Sequence, residues 1–238
     1  MANVETPFYN EAFYRAQKDG SYRAAEVIVP IVLQYIQPRV VIDVGCGVAP
    51  WLAVWQKFGA QVLGVDGDYV DRKMLYINES NFQAMDLEQR IINHGQKFDL
   101  AMTLEVAEHL TPARADTFVE DLTKLSDVIL FSAAISFQGG VNHINEQMQS
   151  YWAEKFSRHG FVCIDCIRPK IWNNDLVAVW YRQNILLYVN ADSLQNYPEL
   201  KIFYLEHISP PSDKFNKMIF LKKTSRRQKC RRLFDYRK

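Results

Sequence analysis

A short apolar segment that runs into two glycines, VVIDVGCG at residues 40–47, constrains the fold more than any other part of the chain. Residues 40–44 predict a buried strand, and the glycines at 45 and 47 predict a tight turn that a ligand can approach closely. Residues 50–58 are expected to form a helix, and residues 61–65 a second strand. The region therefore predicts a strand, a glycine turn, a helix and a parallel strand.

Similar alternation continues along the chain and predicts an α/β fold with a mainly parallel sheet covered on both faces. Ligands of such sheets bind beyond the carboxyl ends of the strands. In the first predicted helix, Ser21 is a candidate N-cap and Pro30 is expected to kink or divide the helix. Further strands are predicted at residues 98–104, 128–131, 161–166 and 185–189, and helices at 11–36, 111–125 and 146–158.

The composition of the 238 residues excludes several classes of protein as leading interpretations. No apolar run approaches the ~20 residues that cross a bilayer, and the N-terminus lacks the pattern of a signal peptide. Four cysteines in this length do not form a disulfide framework. We therefore expect a protein of the reducing interior of the cell, in the cytoplasm.

The net charge of +1 conceals an uneven distribution along the chain. Residues 214–238 contain 11 Lys or Arg and a single acid, whereas the remaining residues contain 17 basic and 26 acidic side chains. Such a basic tail can bind phosphate, nucleic acid or another anionic surface, or can be a solvated chain end. The acidic body argues against an extended face for nucleic acid, so such contact is expected only through the tail.

The glycine turn does not match a dinucleotide-binding fingerprint, which requires a third glycine where Pro50 stands. An acid directly before the turn, Asp43, is also foreign to that fingerprint. Asp66 ends the second predicted strand and can bind the hydroxyls of a ribose. These features favour a nucleoside ligand without a pyrophosphate.

Four stretches resemble the successive motifs of Rossmann-like S-adenosylmethionine-dependent methyltransferases: VIDVGCGVAPW, VLGVDGD, AMDL and FDLAMTLEVAEHL. The resemblance covers residues 38–190 and implies a seven-stranded, mostly parallel sheet with helices on both faces. It also implies a division into an N-terminal helical lid (1–37), a cofactor-binding core (38–190) and a C-terminal extension with the basic tail (191–238). The sequence departs from the motif at residues 48–50, where many members have another glycine.

The resemblance implies a role for each matching residue at the cofactor. It places Glu105 beside the methyl group, and it allows Arg23 to pair with the cofactor's carboxylate, although Arg23 also fits a surface helix. The remaining implied contacts are Asp43, Gly45 and Gly47 at the methionine end, Asp66 at the ribose, and Asp86 and Leu87 at the adenine.

Glu105, Glu108 and His109 would share one face if a helical turn began at Glu105. Two carboxylates and an imidazole suit Mg²⁺ or Mn²⁺, which would acidify an acceptor hydroxyl. The pattern is similar to that of small-RNA 2′-O-methyltransferases and ubiquinone-biosynthesis O-methyltransferases, and His143 is the candidate for a further ligand. In the alternative without a metal, Glu105 touches the cofactor and His109 is a structural residue or a general base.

Residues 139–147 follow the strand predicted at residues 128–131 and provide a second group of candidate catalytic residues. His143 is a candidate general base, together with His109 and Glu108. Asn145 and Gln147 are candidates to bind a polyhydroxy acceptor, although Asn145 also fits the N-cap of the next helix. One aromatic residue among Trp152, Trp172, Trp180 and Tyr181 is expected to line the pocket.

The predicted function is S-adenosylmethionine-dependent methyl transfer to oxygen. The letters FSAAI, GG and HINEQ resemble methyltransferases of glycan and natural-product biosynthesis, which implies a small-molecule or glycan acceptor with a sugar hydroxyl. Two alternatives remain at this point: an RNA 2′-O-methyltransferase and a cofactor-binding interaction module without turnover.

Overall fold

Seven strands form one sheet in the computed structural model, which describes residues 11–91 and 95–207. The strands lie in the order β3-β2-β1-β4-β5-β7-β6. Their bounds are β1 Val40–Val44, β2 Gln61–Asp66, β3 Phe82–Ala84, β4 Leu100–Leu104, β5 Val128–Ser132, β6 Phe161–Ile164 and β7 Leu186–Asn190.

The sheet is parallel from β3 to β5, and β7 alone runs in the opposite direction, between β5 and β6. The predicted α/β fold with a seven-stranded, mostly parallel sheet is therefore confirmed. Since β7 is antiparallel, its first residue lies at the edge of the sheet where the parallel strands end, and Leu186 pairs with Phe131. This reversal brings residues late in the chain next to the carboxyl ends of β4 and β5.

Helices cover both faces of the sheet, and an apolar core lies on each side. One core packs the sheet against α1 and α2, with Trp55 fully buried, and the other packs it against α3 and α4, with Phe118 fully buried. The helices are α1 Glu11–Val32, α2 Pro50–Lys57, α3 Ala115–Leu125, α4 Gln149–Ser157, α5 Arg168–Ile171, α6 Val179–Asn184 and α7 Pro198–Glu206.

Helix α1 differs from its prediction in two ways. Ser21 lies inside the helix and is buried, so the predicted N-cap at Ser21 is wrong. Its Oγ lies 3.1 Å from the hydroxyl of Tyr181, which provides a tertiary partner that the local sequence does not reveal. The helix also continues past Pro30 to Val32, so Pro30 does not divide it. The apolar face of α1 packs against α2, with Ala25 and Ile28 fully buried.

Other differences from the sequence predictions are small. Strand β3 has three residues, two of them exposed, and therefore lacks the apolar pattern that predicts a strand. The helix predicted from residue 146 begins at Gln149. In the described part of the chain, no helix combines the length and apolar character that a membrane crossing requires. The basic tail at residues 214–238 lies outside the described residues.

Candidate functional site

A cavity of about 680 Å³ opens at the carboxyl ends of β1, β2 and β4, the edge where ligands of such sheets bind. Most of the residues predicted to bind the cofactor line it. They are Asp43, Gly45, Gly47, Asp66, Asp86, Leu87 and Glu105.

The glycine turn after β1 forms one wall of the cavity. Gly45 has φ +86°, and a Cβ atom there would lie 2.3 Å from Cγ2 of Val106, so both the backbone and the packing require glycine. Gly47 has φ +55°, and a Cβ at this position would meet no atom within 4 Å. The backbone at Gly47 therefore borders open space that a ligand can enter.

Asp66 is held in place at the end of β2 by donors on both of its carboxylate oxygens. Oδ2 accepts a hydrogen bond from the Gly47 amide at 2.7 Å, and Oδ1 accepts one from the Gly67 amide at 2.7 Å. The hydroxyl of Tyr69, another residue of the cavity lining, also donates to Oδ1. Asp66 thus connects the glycine turn to the second strand and faces the cavity.

Asp43 is almost completely buried beneath the turn. Burial raises the pKa of its carboxyl well above the ordinary value, and the nearby charge of Asp66 raises it further. The carboxyl groups of Asp43 and Asp66 both line the cavity and can accept hydrogen bonds from a ligand.

The loop after β3 closes the cavity on the side predicted for the adenine. The guanidinium of Arg114 is buried and donates to the carbonyl oxygens of Leu87 and Gln89 at 3.0 and 2.8 Å. Glu88 accepts hydrogen bonds from the amide and the hydroxyl of Thr111 at 2.7 and 2.9 Å. The position of Thr111 before Pro112 predicts a helix N-cap, but its side chain makes no capping hydrogen bond. Thr111 instead ties this loop to the segment that follows β4.

Glu105 directly follows β4 and adopts a left-handed backbone with φ +59°. This conformation is uncommon for a residue with a side chain and occurs preferentially at functional sites. The predicted helical turn does not begin at Glu105, because the chain forms a single 3-10 turn at Ala107–His109 instead. Glu105 therefore does not lie on the turn that carries Glu108 and His109.

Glu108, His109 and His143 form a cluster whose candidate ligand atoms all lie within 4.8 Å of one another. Glu105, predicted with them as a metal ligand, is not part of this group. Glu108 is fully buried, and neither of its carboxylate oxygens has a hydrogen-bond partner among the described residues. Burial raises the pKa of Glu108 well above the ordinary value, and the charge of Glu105 raises it further. The backbone amides of Glu108 and Ala134 lower this pKa in part, and the carboxyl can still accept a further donor or bind a cation.

The loop that follows β5 brings His143 to this cluster. The amides of Ile144 and Asn145 donate to the carbonyl oxygen of Glu108 at 2.9 and 3.0 Å, which fixes the loop against the 3-10 turn. Nδ1 of His143 lies 3.0 Å from Oε1 of Glu146. His109 lines the cavity, whereas His143 stands behind it in contact with its ring. Burial lowers the pKa of His109, and the neighbouring His143 lowers it further.

Two predicted site residues lie elsewhere. Arg23 is exposed on α1 and is not among the residues that line the cavity, so its contact with the cofactor stays a prediction. Asn145 is buried and accepts a hydrogen bond from Nε2 of Gln147 at 3.1 Å. Helix α4 begins four residues later, at Gln149, so the alternative in which Asn145 caps it is wrong.

One of the four predicted aromatic candidates lines the cavity, but the sequence did not reveal its partners. Tyr181 was one of four aromatic candidates, and its hydroxyl accepts a hydrogen bond from Nε1 of Trp51 at 3.4 Å, with Ser21 on its other side. Tyr181 is separated from these partners by 130 and 160 positions, so only the tertiary structure brings them together. Trp152, another candidate, is buried in the core against Phe131.

Known proteins with similar sequences and structures include several methyltransferases. The ubiquinone biosynthesis O-methyltransferase of Actinobacillus pleuropneumoniae serotype 7 (strain AP76) is 28% identical over 132 residues, covering 48% of this chain and 56% of the relative. The chain thus spans little more than half the length of this curated relative. A family model described as a methyltransferase domain matches residues 15–131, about half of the chain.

The magnesium protoporphyrin IX methyltransferase of Synechocystis PCC 6803 has a similar fold. Its structure with bound S-adenosylhomocysteine gives a TM-score of 0.54 at 19% identity, covering 77% of this chain and 89% of that chain. Its structure with S-adenosylmethionine gives a TM-score of 0.53 at 21% identity, covering 74% and 83%. The sheet order and these similarities show the Rossmann-like fold of solved methyltransferases, and residues 15–131 match the methyltransferase-domain family.

Proposed function

We propose that this protein transfers the methyl group of S-adenosylmethionine to an acceptor hydroxyl. The observation that carries the proposal is that one cavity joins the glycine turn and Asp66 to His109, behind which His143 and Glu108 lie. A nucleoside subsite thus continues directly into a cluster of groups that can take up a proton or bind a cation.

The residues of the cavity fit the cofactor. The open space at Gly47 admits a ligand against the backbone, and Asp66 presents a carboxylate to the hydroxyls of a ribose. Asp86 and Leu87 would border the adenine, and Glu105 the methionine end. When bound, the cofactor supplies a methyl group on a sulfonium, which an oxygen nucleophile can attack directly. The protein then has to align the acceptor and manage its proton.

The histidine pair supports removal of the acceptor's proton. The pKa of His109 is lowered, so its imidazole is neutral and can accept a proton near pH 7. Glu146 orients His143, whose ring contacts that of His109. In this form of the mechanism the histidine pair would take up the proton of the acceptor hydroxyl while its oxygen bonds to the methyl carbon, the carbon–sulfur bond breaks and S-adenosylhomocysteine leaves.

The same cluster also fits Mg²⁺ or Mn²⁺. Glu108, His109 and His143 would hold the ion, and the two carboxylate oxygens of Glu108 without partners are the feature that supports it. A bound divalent cation would lower the pKa of an acceptor hydroxyl. The two forms of the mechanism differ in a measurable way, because only one of them requires a metal.

We further propose a sugar or glycan hydroxyl as the acceptor. Asn142 lines the cavity from the loop after β5, and Trp180 is partly exposed beside the cavity residue Tyr181. Amides that bind hydroxyls and an aromatic face that packs on a ring are the groups that recognise carbohydrates. The resemblance of this loop to glycan-modifying methyltransferases supports the same acceptor class.

The test begins with calorimetric titration of S-adenosylhomocysteine into the protein, first with EDTA and then with added magnesium or manganese. We expect binding at micromolar affinity or better, and no binding would overturn the proposal. Incubation with labelled S-adenosylmethionine and a panel of sugars, phenols and short RNAs then identifies the acceptor. Transfer to RNA or to a phenol alone would replace the sugar, and binding without any transfer would favour an interaction module.

A further inference from the structure

Asn184 and Gln138 form a closed ring of hydrogen bonds with the carboxylate of Glu105. Nδ2 of Asn184 donates to Oε1 of Glu105 at 3.1 Å and to Oε1 of Gln138 at 2.9 Å. Nε2 of Gln138 donates to the other oxygen of Glu105 at 3.2 Å. We call Asn184 and Gln138 the amide clamp. Each oxygen of the carboxylate thus has an amide donor, and the two amides also bind each other.

The clamp is part of the folded interior, which separates it from an incidental surface contact. Asn184 is 2% exposed, and its own Oδ1 accepts a hydrogen bond from Nε2 of Gln183 at 3.2 Å. Donors and acceptor of this side chain are therefore all used, which fixes its orientation. Asn184 ends α6 two residues before β7, at the edge of the sheet where β4 and β5 end.

The amide clamp supports the carboxylate of Glu105. Glu105 lines the cavity, and its backbone is left-handed. Because it lies in neither a helix nor a strand, no regular secondary structure sets the direction of its side chain. Burial raises the pKa of Glu105, and the hydrogen bond from Asn184 lowers it in part. Amide donors of this kind stabilise the carboxylate form and determine its direction.

We infer that Asn184 is a positioning residue, which together with Gln138 aims the Glu105 carboxylate at the α-ammonium group of the amino-acid end of S-adenosylmethionine. Gln138 also lies at the base of the loop that carries Asn142 and His143, so the clamp joins the cofactor side of the cavity to the acceptor side. This inference rests on the proposed function and assigns to it two residues that lie outside its sequence motifs.

The test compares two ligands that differ only in the part that the clamp affects. S-adenosylhomocysteine has the amino-acid end, whereas 5′-methylthioadenosine has the same nucleoside without it. Asn184→Asp replaces the donors with a second carboxylate next to Glu105. Asn190→Asp is the matched control, because Asn190 ends β7, the strand that follows Asn184, and its Oδ1 only accepts hydrogen bonds, from the amides of Asp192 and Ser193. Aspartate can accept the same bonds.

We expect Asn184→Asp to weaken the binding of S-adenosylhomocysteine by about tenfold or more, as loss of a charge-assisted hydrogen bond predicts. The affinity for methylthioadenosine should change by less than about twofold. Asn190→Asp should match the wild type with both ligands. Equal losses for both ligands would indicate a general structural role and overturn the inference, as would no loss for either.

A second variant covers the case in which Asn184→Asp does not fold, as judged by its thermal unfolding. Gln138→Glu changes the other member of the clamp in a loop position, and the same selective loss is expected. The wild-type titration distinguishes failure of the proposed function from failure of the amide clamp. If the wild type does not bind S-adenosylhomocysteine, the proposed function fails and the clamp fails with it. If the wild type binds and both variants bind equally well, only the clamp is overturned.

Discussion

The imidazole rings of His109 and His143 pack edge to face, with their centroids 4.8 Å apart and their planes at 87°. His109 lines the cavity, and Nδ1 of His143 lies 3.0 Å from a carboxylate oxygen of Glu146. His109 is therefore the imidazole that borders the cavity, and His143, held by Glu146, packs against it. The same pair, with Glu108, also presents the donor set of a divalent cation.

Replacement of His143 by alanine tests its part in proton transfer. We expect His143→Ala to bind S-adenosylhomocysteine as the wild type does, because His143 is not among the residues that line the cavity. Turnover with the identified acceptor should fall by about 10–100-fold, the range for loss of a group that orients a functional residue, because His143 acts through His109. His159→Ala, at an exposed position, is the control. Wild-type turnover in His143→Ala would remove this residue from the catalytic mechanism.

Metal binding is measured with Mn²⁺ alone, by electron paramagnetic resonance, so that the result does not depend on the acceptor. Glu108→Gln keeps the size of the side chain but removes its charge, and we expect it to weaken Mn²⁺ binding by at least about tenfold. Glu154→Gln, on the exposed face of α4, should bind as the wild type does. If the wild type itself binds no Mn²⁺, the mechanism without a metal remains.

Asp66→Ala tests the placement of the cofactor's ribose. Removal of this carboxylate takes away the predicted acceptor for the ribose hydroxyls and releases the amide of Gly47. We expect calorimetry to show about tenfold weaker binding of S-adenosylhomocysteine, or more, as for loss of a hydrogen bond to a charged group. Asp192→Ala is the control, because Asp192 is exposed, follows the last residues of β7 and is not among the residues that line the cavity. Affinity unchanged in Asp66→Ala would count against this orientation of the cofactor.

Asp43 makes the stability of the ligand-free protein depend on pH. Burial raises the pKa of Asp43, so the unfolded chain releases this proton at lower pH than the folded chain does. The free energy of unfolding therefore decreases as pH rises above about 4, by about 1.4 kcal/mol for each unit between the two pKa values. The free energy of unfolding levels off once the pH exceeds the pKa of Asp43 in the folded protein.

Asp43→Asn should lack this decrease. We expect its melting temperature to exceed that of the wild type at pH 8 and the difference to shrink toward pH 4. Its binding of S-adenosylhomocysteine should be weaker, since the carboxyl that borders the cavity is lost. Asp192→Asn is the control for the substitution itself. A difference in melting temperature that is the same at both pH values would contradict the linkage.

The sequence determined those parts of the protein that depend on neighbours along the chain. The apolar strand before Gly45 has only one plausible register in a buried sheet, and the glycines at 45 and 47 mark where the strand must turn. Asp43 and Asp66 follow from the same pattern, because each lies in or at the end of a predicted strand. For this reason most of the predicted cofactor residues line one cavity.

The tertiary structure decided what those residues meet. Asn184 reaches Glu105 across 79 positions because β7 is inserted antiparallel between β5 and β6, and local periodicity contains no information on strand order. The same holds for Tyr181, which meets Ser21 and Trp51, and for the separation of Glu105 from Glu108 by a left-handed backbone instead of a helical turn. Local propensity specifies strands and turns, whereas partners distant in sequence are selected by packing of the whole sheet.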